Sequence, residues 1–294
     1  MSPISRRDVL KAGIAASAAA SVGTLPLAAE RETATSKVTL GKSGVAVTRL
    51  AFGTGSNNGY VQHALGQKEF SRQVAYAYER GIRFFETSES YMTPAMLAAA
   101  LKPFPRESYV LMTKVTTDVG VDPHQRFDEM RRTSQTEYFD IMLLHWQHTS
   151  SWVDETKRWQ DGIDEAHARK TILSRGASVH GLPALRQMPG FDWLQVAMIR
   201  MNHKGARMDG PDYTSGSAPD HVDEVVEHVK QVRRKGMGVI SMKLIGEGSF
   251  TQHSDRVEAM RFAFKNAGVQ CVTVGFKSTQ EIDEAIDNVT LALS

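Results

Sequence analysis

A carboxylate and a phenol lie in the run Phe84-Phe85-Glu86-Thr87-Ser88-Glu89-Ser90-Tyr91, at the end of a short apolar stretch. Two more ionisable groups close apolar stretches downstream: Lys114 after Tyr109-Val110-Leu111-Met112-Thr113, and His145 after Phe139-Asp140-Ile141-Met142-Leu143-Leu144. Singly each is ordinary, since a strand-end Tyr is usually half-buried packing and an exposed Lys or Glu a solvated charge. Together they make a proton-transfer set. A phenol can deliver a proton to a carbonyl oxygen only if neighbours adjust its proton affinity, so Tyr91 is the candidate acid and Lys114 the cation that lowers its pKa. Glu86 would hold Lys114 in place, and His145 would orient the carbonyl or share the proton. Glu89 is a second carboxylate nearby, with a solvated loop charge as its simpler role.

The elements that must position these groups follow from hydrophobic periodicity. After residue 36, short apolar runs alternate with amphipathic stretches, the pattern of parallel β/α units. Eight runs read as strands: Arg49–Phe52, Phe84–Glu86, Tyr109–Lys114, Ile141–Leu144, Thr171–Ser178, Trp193–Met198, Gly238–Met242 and Cys271–Gly275. Eight units in one chain of 294 residues predict a single (β/α)8 TIM barrel, the fold that keeps its chemistry at strand C-termini. Val222, Val225, Val226, Val229 and Val232 recur at helical spacing, as do Ile282, Ile286, Val289 and Leu293, with Ser278 or Thr279 as cap; both stripes read as core. Val38 to Val47 reads as a hairpin, and Met208 to Pro219, rich in Gly, Pro, Asp and Ser, as a loop beside the site.

With strand-end Glu86 and Tyr91, then Lys114, then His145, the sequence resembles the aldo-keto reductase family, with Glu86 where that family has Asp. The stretch Leu40 to Gly55 is similar to the family's N-terminal hairpin and first strand, and the likeness runs from about Lys37 to the C-terminus. It implies that the hairpin closes the barrel floor, and that the protein is an oxidoreductase moving hydride between NAD or NADP and a small carbonyl or sugar-like compound. The extra methylene of Glu86 would shift its carboxylate by roughly 1.5 Å.

The resemblance also implies the cofactor contacts, which need no Gly-rich dinucleotide loop. They fall on Thr54, Ser178, Met242, Lys243, Lys277 and Ser278. Within that set the pattern departs from the family. Val179 replaces an amide residue that helps hold the nicotinamide carboxamide, Leu194 to Met198 aligns with a segment that carries Gln, and Met242 stands where an aromatic stacks on nicotinamide. A methionine sulfur can still cover a ring face. The last helix offers N-terminal amides to a phosphate, but Glu281 lies where NADP-preferring relatives carry Arg. The chain ends at Ser294, where many relatives continue into a substrate loop; an open pocket selected by residues 57–64, 146–152 and 202–219 is the expectation.

Residues 1–29 read as an address. Ser5-Arg6-Arg7-Asp8-Val9-Leu10-Lys11 is a twin-arginine segment followed by Ala-rich apolar sequence and Pro26 to Ala29, the order of a signal peptide, with cleavage expected near Ala29. Residues 30–36 read as a linker and 37–294 as the barrel. The whole formal charge of +2 resides in the first 29 residues, so the remainder is neutral and gives no reason to propose nucleic acid. The expected location is periplasmic or otherwise exported through the twin-arginine machinery, with no membrane span in the mature chain. The single cysteine, Cys271, sits in an apolar run and reads as a buried strand residue.

His145, His148, His180 and His203 suggest a metal, but the spacing is permissive and no matching carboxylate pair or His-x-His accompanies it, so no metal ligand is assigned. Three functions are carried forward. The first is the exported oxidoreductase; the second is a noncatalytic ligand-binding barrel with a polar mouth of His145, His180, Lys204 and Lys243; the third is metal-assisted hydrolysis.

Overall fold

In a computed structural model, residues 31–208, 210–211 and 217–294 are described. The twin-arginine segment and its cleavage point lie outside them. One compact unit spans Glu32 to Ser294. It begins before the expected boundary at residue 37, because part of the supposed linker is packed on the barrel. Ala34 is buried, its carbonyl accepts from the Leu50 amide at 2.9 Å, and its own amide donates to Thr290 Oγ1 at 3.1 Å.

An antiparallel hairpin, β1 (Lys37–Thr39) and β2 (Ala46–Thr48), precedes eight parallel strands. These are β3 (Leu50–Gly53), β4 (Phe84–Glu86), β5 (Val110–Val115), β6 (Ile141–Gln147), β7 (Arg175–Val179), β8 (Val196–Arg200), β9 (Gly238–Met242) and β10 (Cys271–Gly275). Each pairs with the next and β10 pairs with β3, closing a barrel. The alternation of side chains across each strand sorts the apolar residues into two layers. Ala51, Phe84, Met112, Leu143, Val196, Ile240 and Cys271 pack inside. Their neighbours Leu50, Phe85, Leu111, Leu144, Ala177 and Val239 pack outside, against the helices.

The hairpin closes the floor. Leu40 is buried in the inner cluster, and the backbone of the turn lies against the start of β9, where Lys42 N donates to Gly236 O at 2.7 Å. Contact is so close that a Cβ on Gly41, which has φ +48°, would fall 2.3 Å from the Gly236 carbonyl. Gln270 ties the hairpin to β10 by accepting from Gly41 N at 3.2 Å and donating to Thr39 O at 2.6 Å.

Strands β3 and β5 lie one residue later than expected, and three others differ by more at their ends. Ile172 makes only an isolated bridge to Phe139, so β7 starts at Arg175. Trp193 packs outside the strand, its indole donating to Asp164 at 2.9 Å and stacking on Phe191, and β8 runs on to Arg200. Strand β6 extends to Gln147 through a bulge: residues 144 and 147 pair with 177 and 179, so one extra residue is inserted. Trp146 absorbs it with φ +60°, a conformation uncommon for a bulky side chain. The valine stripe lies on the helix Val222–Arg234, with Val225, Val226, Val229 and Val232 buried. The last helix, Thr279–Leu293, is capped by Ser278, whose Oγ accepts from Glu281 N. Cys271 is buried, donates to Thr48 O and has its thiol pKa pushed up by burial, in keeping with a structural residue.

Candidate active site

The mouth of the barrel is built from the last inward-facing residues of β4, β5 and β6. Glu86 ends β4, Lys114 lies near the end of β5, and His145 occupies the β6 bulge. Tyr91 comes from the loop after β4, which is laid across β5 by backbone bonds from Thr87 N to Met112 O and from Glu89 N to Lys114 O. The turn closes with Tyr91 N donating to Ser88 O.

Lys114 is fully buried and has a partner for each of its three protons: a close ion pair with Glu86, the Thr87 carbonyl at 2.9 Å and the Tyr91 phenol oxygen at 3.0 Å. Burial lowers its pKa, opposed by the attraction of Glu86. The longer side chain of Glu86 is accommodated. Its Oε2 lies 3.4 Å from Thr273 Oγ1, across from Gly53, where an added Cβ would come within 3.2 Å of that same oxygen. Tyr91 rests against Gly55; a Cβ there would fall 2.3 Å from the ring.

The electrostatics correct one expectation. The pKa of Tyr91 is raised well above that of a free phenol, by burial first and then by the negative charges of Glu86 and Glu247. The Lys114 ammonium 3.0 Å away, itself paired with Glu86, does not outweigh them. Tyr91 is therefore a neutral hydroxyl at neutral pH. His145 stands edge-on to it, with ring centroids 5.8 Å apart, and Ser88 Oγ engages Nδ1 at 2.9 Å. Burial, then Lys114 and Lys243, holds its pKa well below the ordinary value, so the ring is neutral too. Glu89 is no solvated charge: it binds Arg126 at 2.9 Å and Thr116 Oγ1 at 2.6 Å, as a strut beneath the loop.

Glu86, Tyr91 and His145 open onto a cavity of about 930 Å³, with Lys114 buried behind them. Of the residues assigned to a cofactor, Met242, Lys243 and Lys277 line it. Thr54, Ser178 and Ser278 do not. Thr54 is buried and receives the Thr93 hydroxyl, Ser178 Oγ accepts from Trp146 N at 3.2 Å to hold the bulge, and Ser278 caps the last helix. Glu281 accepts from Lys277 N at 2.7 Å, so a carboxylate already sits at that helix's N-terminus. Lys243, with φ +58°, forms a close ion pair with Glu247.

Val179 and Gln195 are also displaced from the mouth. Val179 faces the outer layer, and Gln195 lies before β8, accepting from Ser174 Oγ and Arg175 N at 3.1 Å. In their stead His180, Met198 and Arg200 line the cavity, with Gly275 and Arg256 elsewhere on its wall. The alternation along β8 could have revealed Met198 and Arg200, had its end been placed correctly. Arg256 is held by a bidentate contact with Glu284 and had no sequence signal. The histidines are dispersed: the His145 and His180 rings are 6.3 Å apart, while His203 packs on Phe250. Among the described residues no group of three or more His, Cys, Asp or Glu is arranged to hold a metal ion, and no helix is long and apolar enough to cross a membrane.

The aldo/keto reductase family model matches residues 49–261, and the twin-arginine translocation signal model matches residues 3–23, which marks the chain for export. An aldo-keto reductase of Glycine max is 26% identical over 172 residues, covering 51% of this chain and 50% of that protein. One from Mycolicibacterium smegmatis is 25% identical over 187 residues, covering 56% and 62%. The chain thus spans about half the length of the first of these curated relatives and 62% of the second. Among solved structures, an aldo-keto reductase of Pseudomonas aeruginosa superposes with a TM-score of 0.69 at 16% identity, over 90% of this chain and 99% of that one. One from Klebsiella pneumoniae, in complex with NADPH, gives 0.66 at 14% identity, over 87% and 89%. At such identities the superpositions show a shared fold. The family match spans most of the barrel, from the start of β3 to the helix before β10, and takes in all four groups of the proton-transfer set: this chain belongs to the aldo-keto reductase family.

Proposed function

We propose that the barrel mouth is the active site of an exported oxidoreductase that interconverts a small carbonyl compound and its alcohol with NAD or NADP, Tyr91 being the proton donor. The observation that carries this reading is Lys114 Nζ, which binds Glu86, the Thr87 carbonyl and the Tyr91 hydroxyl at once, directly behind the Glu86 and Tyr91 that line a cavity large enough for a nucleotide and a small substrate. When bound, the nicotinamide nucleotide supplies or accepts the hydride.

The chain's own residues supply the rest. A neutral Tyr91 keeps its proton until negative charge develops on a carbonyl oxygen beside it, and Lys114 then stabilises the phenolate left behind. Neutral His145, tethered at Nδ1 by Ser88 Oγ, would orient the carbonyl through Nε2. Met198 and Met242 give the cavity two polarizable apolar faces, and Lys243 and Lys277 bring positive charge to its wall, as a pyrophosphate requires. Glu281 opposes a 2′-phosphate at the helix N-terminus while Lys277 beside it offsets that charge, so either nucleotide remains a candidate.

Fluorescence titration of the purified protein with NADH and NADPH tests the reading. Saturable binding below millimolar concentration is the expected result; none at millimolar nucleotide would sink it. A noncatalytic ligand-binding barrel is the second reading, favoured by the commitment of Thr54, Ser178 and Ser278 to internal bonds. Metal-assisted hydrolysis has no arranged ligand group in its favour among the described residues.

A further inference from the structure

We propose that the barrel floor is a docking face for an anionic membrane surface, engaged through lipid phosphates with the mouth turned away. The inference concerns the end of the barrel opposite the active site and holds whichever reaction the mouth performs.

The charge comes from the hairpin and its neighbours. Val38 packs on the inner cluster, so by strand alternation Lys37 beside it points outward and is exposed. Lys42, in the turn, is also exposed; its amide is tied to the Gly236 carbonyl and its Nζ to the Asp192 carbonyl at 3.3 Å. Half-buried Arg233 and exposed Lys235 come just before Gly236, at the end of the helix Val222–Arg234, and Arg49 lies between β2 and β3. Arg49 pairs with Glu32 at 2.5 Å. Lys37, Lys42, Arg233 and Lys235 have no ion-pair partner among the described residues. Against these five cations the contacts bring in two carboxylate residues, Glu32 and Asp192.

Two of the cations oppose each other. Burial and then the charge of Arg49 pull the Arg233 pKa down, a conflict that an anion beside the two guanidinium groups relieves. Basic residues at helix C-termini complement the helix dipole, which accounts for Arg233 and Lys235 without any partner. Lys37, Lys42 and Arg49 belong to the hairpin and the strand after it, where no helix ends, so the dipole does not account for them. Because residues 30–294 are neutral overall, the excess is a polarity of the barrel and not a general basicity.

The occupant follows from where the chain enters the barrel. Glu32 and Ala34 meet it at this face, through Arg49 and through Thr290 of the last helix. The matched export signal ends at residue 23, and the nine residues from there to Glu32 span at most roughly 30 Å. Export therefore delivers this end of the barrel to within chain reach of the membrane. Next to Thr290, Leu291 is 52% exposed, which sets an apolar side chain near the cations, the combination that interfacial binding uses. Lipid phosphates satisfy ammonium and guanidinium groups alike.

Flotation of the exported protein with vesicles tests this, one set of phosphatidylcholine alone and one containing phosphatidylglycerol. Partitioning should be roughly a hundredfold stronger on the anionic vesicles and vanish at about 0.5 M salt. Lys37→Glu/Lys42→Glu/Lys235→Glu should lose the anionic preference with the fold intact by circular dichroism, and so should the milder triple replacement by Gln. Lys68→Glu/Lys157→Glu/Arg158→Glu reverses as many exposed charges at the starts of two helices, near the mouth, and should keep the preference. Equal binding to both vesicle types, a floor variant that keeps the preference, or equal losses in the two Glu variants would overturn the proposal.

Discussion

Lys114 Nζ stands 3.0 Å from the Tyr91 hydroxyl and is paired with Glu86, yet burial and then the negative charge of Glu86 leave the phenol harder to ionise than a free one. The acid of this site is thus a protonated Tyr backed by a cation whose charge is balanced in the resting state. Replacing Glu86 should upset that balance in a definite direction. In Glu86→Gln the unpaired ammonium stabilises phenolate, so the Tyr91 pKa falls and the alkaline limb of the pH–rate profile moves to lower pH. A limb that stays in place, or moves up, would exclude this coupling.

The same pair sets a stability prediction. Lys114→Met alone leaves a buried carboxylate uncompensated and should cost about 3–5 kcal/mol. Adding Glu86→Leu should recover much of the loss, since the pair is then replaced by apolar volume. Urea denaturation of the three variants checks this; additive losses would show that the two side chains are not coupled.

Tyr91→Phe removes only the proposed proton. Turnover should fall by roughly 10²–10⁴-fold while nucleotide affinity changes little. Steady-state assays with a panel of small aldehydes, alongside fluorescence titration, separate the two effects, and unchanged turnover would rule Tyr91 out.

Gly55→Ala probes the seat of the phenol. Its Cβ would meet the Tyr91 ring at 2.3 Å, so the ring must move, and a displacement near 1 Å at a reacting group can cost about a hundredfold in rate. A crystal structure of the variant should show Tyr91 withdrawn from Lys114 with the barrel unchanged.

Two buried neutral histidines give acid sensitivity of known sign. His145 and His180 have folded pKa values well below the ordinary 6.5, so below about pH 6.5 the unfolded chain binds protons that the folded chain refuses. Stability is full above that pH and falls as pH drops toward the folded pKa values, by up to about 1.4 kcal/mol per pH unit for each ring. Melting temperatures between pH 7.5 and 5 should decline, and the slope should flatten in His145→Asn/His180→Asn. An equal slope in the variant would assign the acid sensitivity to other groups.

Much of this protein is determined locally. The eight apolar runs, the valine stripe from Val222 to Val232 and the cap at Ser278 follow from periodicity and hydrogen-bonding chemistry within a few residues, and they specify the barrel. The order Glu86, Tyr91, Lys114, His145 is likewise legible, because groups at the ends of successive parallel strands must become neighbours.

What the tertiary structure decided depends on parity and pairing, which the chain alone leaves open. One extra residue at Trp146 sets the aim of His145, and the true start and end of β7 and β8 turn Val179 outward, leave Gln195 below the mouth and bring His180 and Arg200 to the cavity. A strand read one residue out of register exchanges its two faces, so the facing of Val179 and the reach of β8 to Arg200 came only with the pairing. The pKa of Tyr91 is the same kind of quantity: a sequence shows that Lys114 can be near, but only the fold shows that Glu86 has already matched its charge.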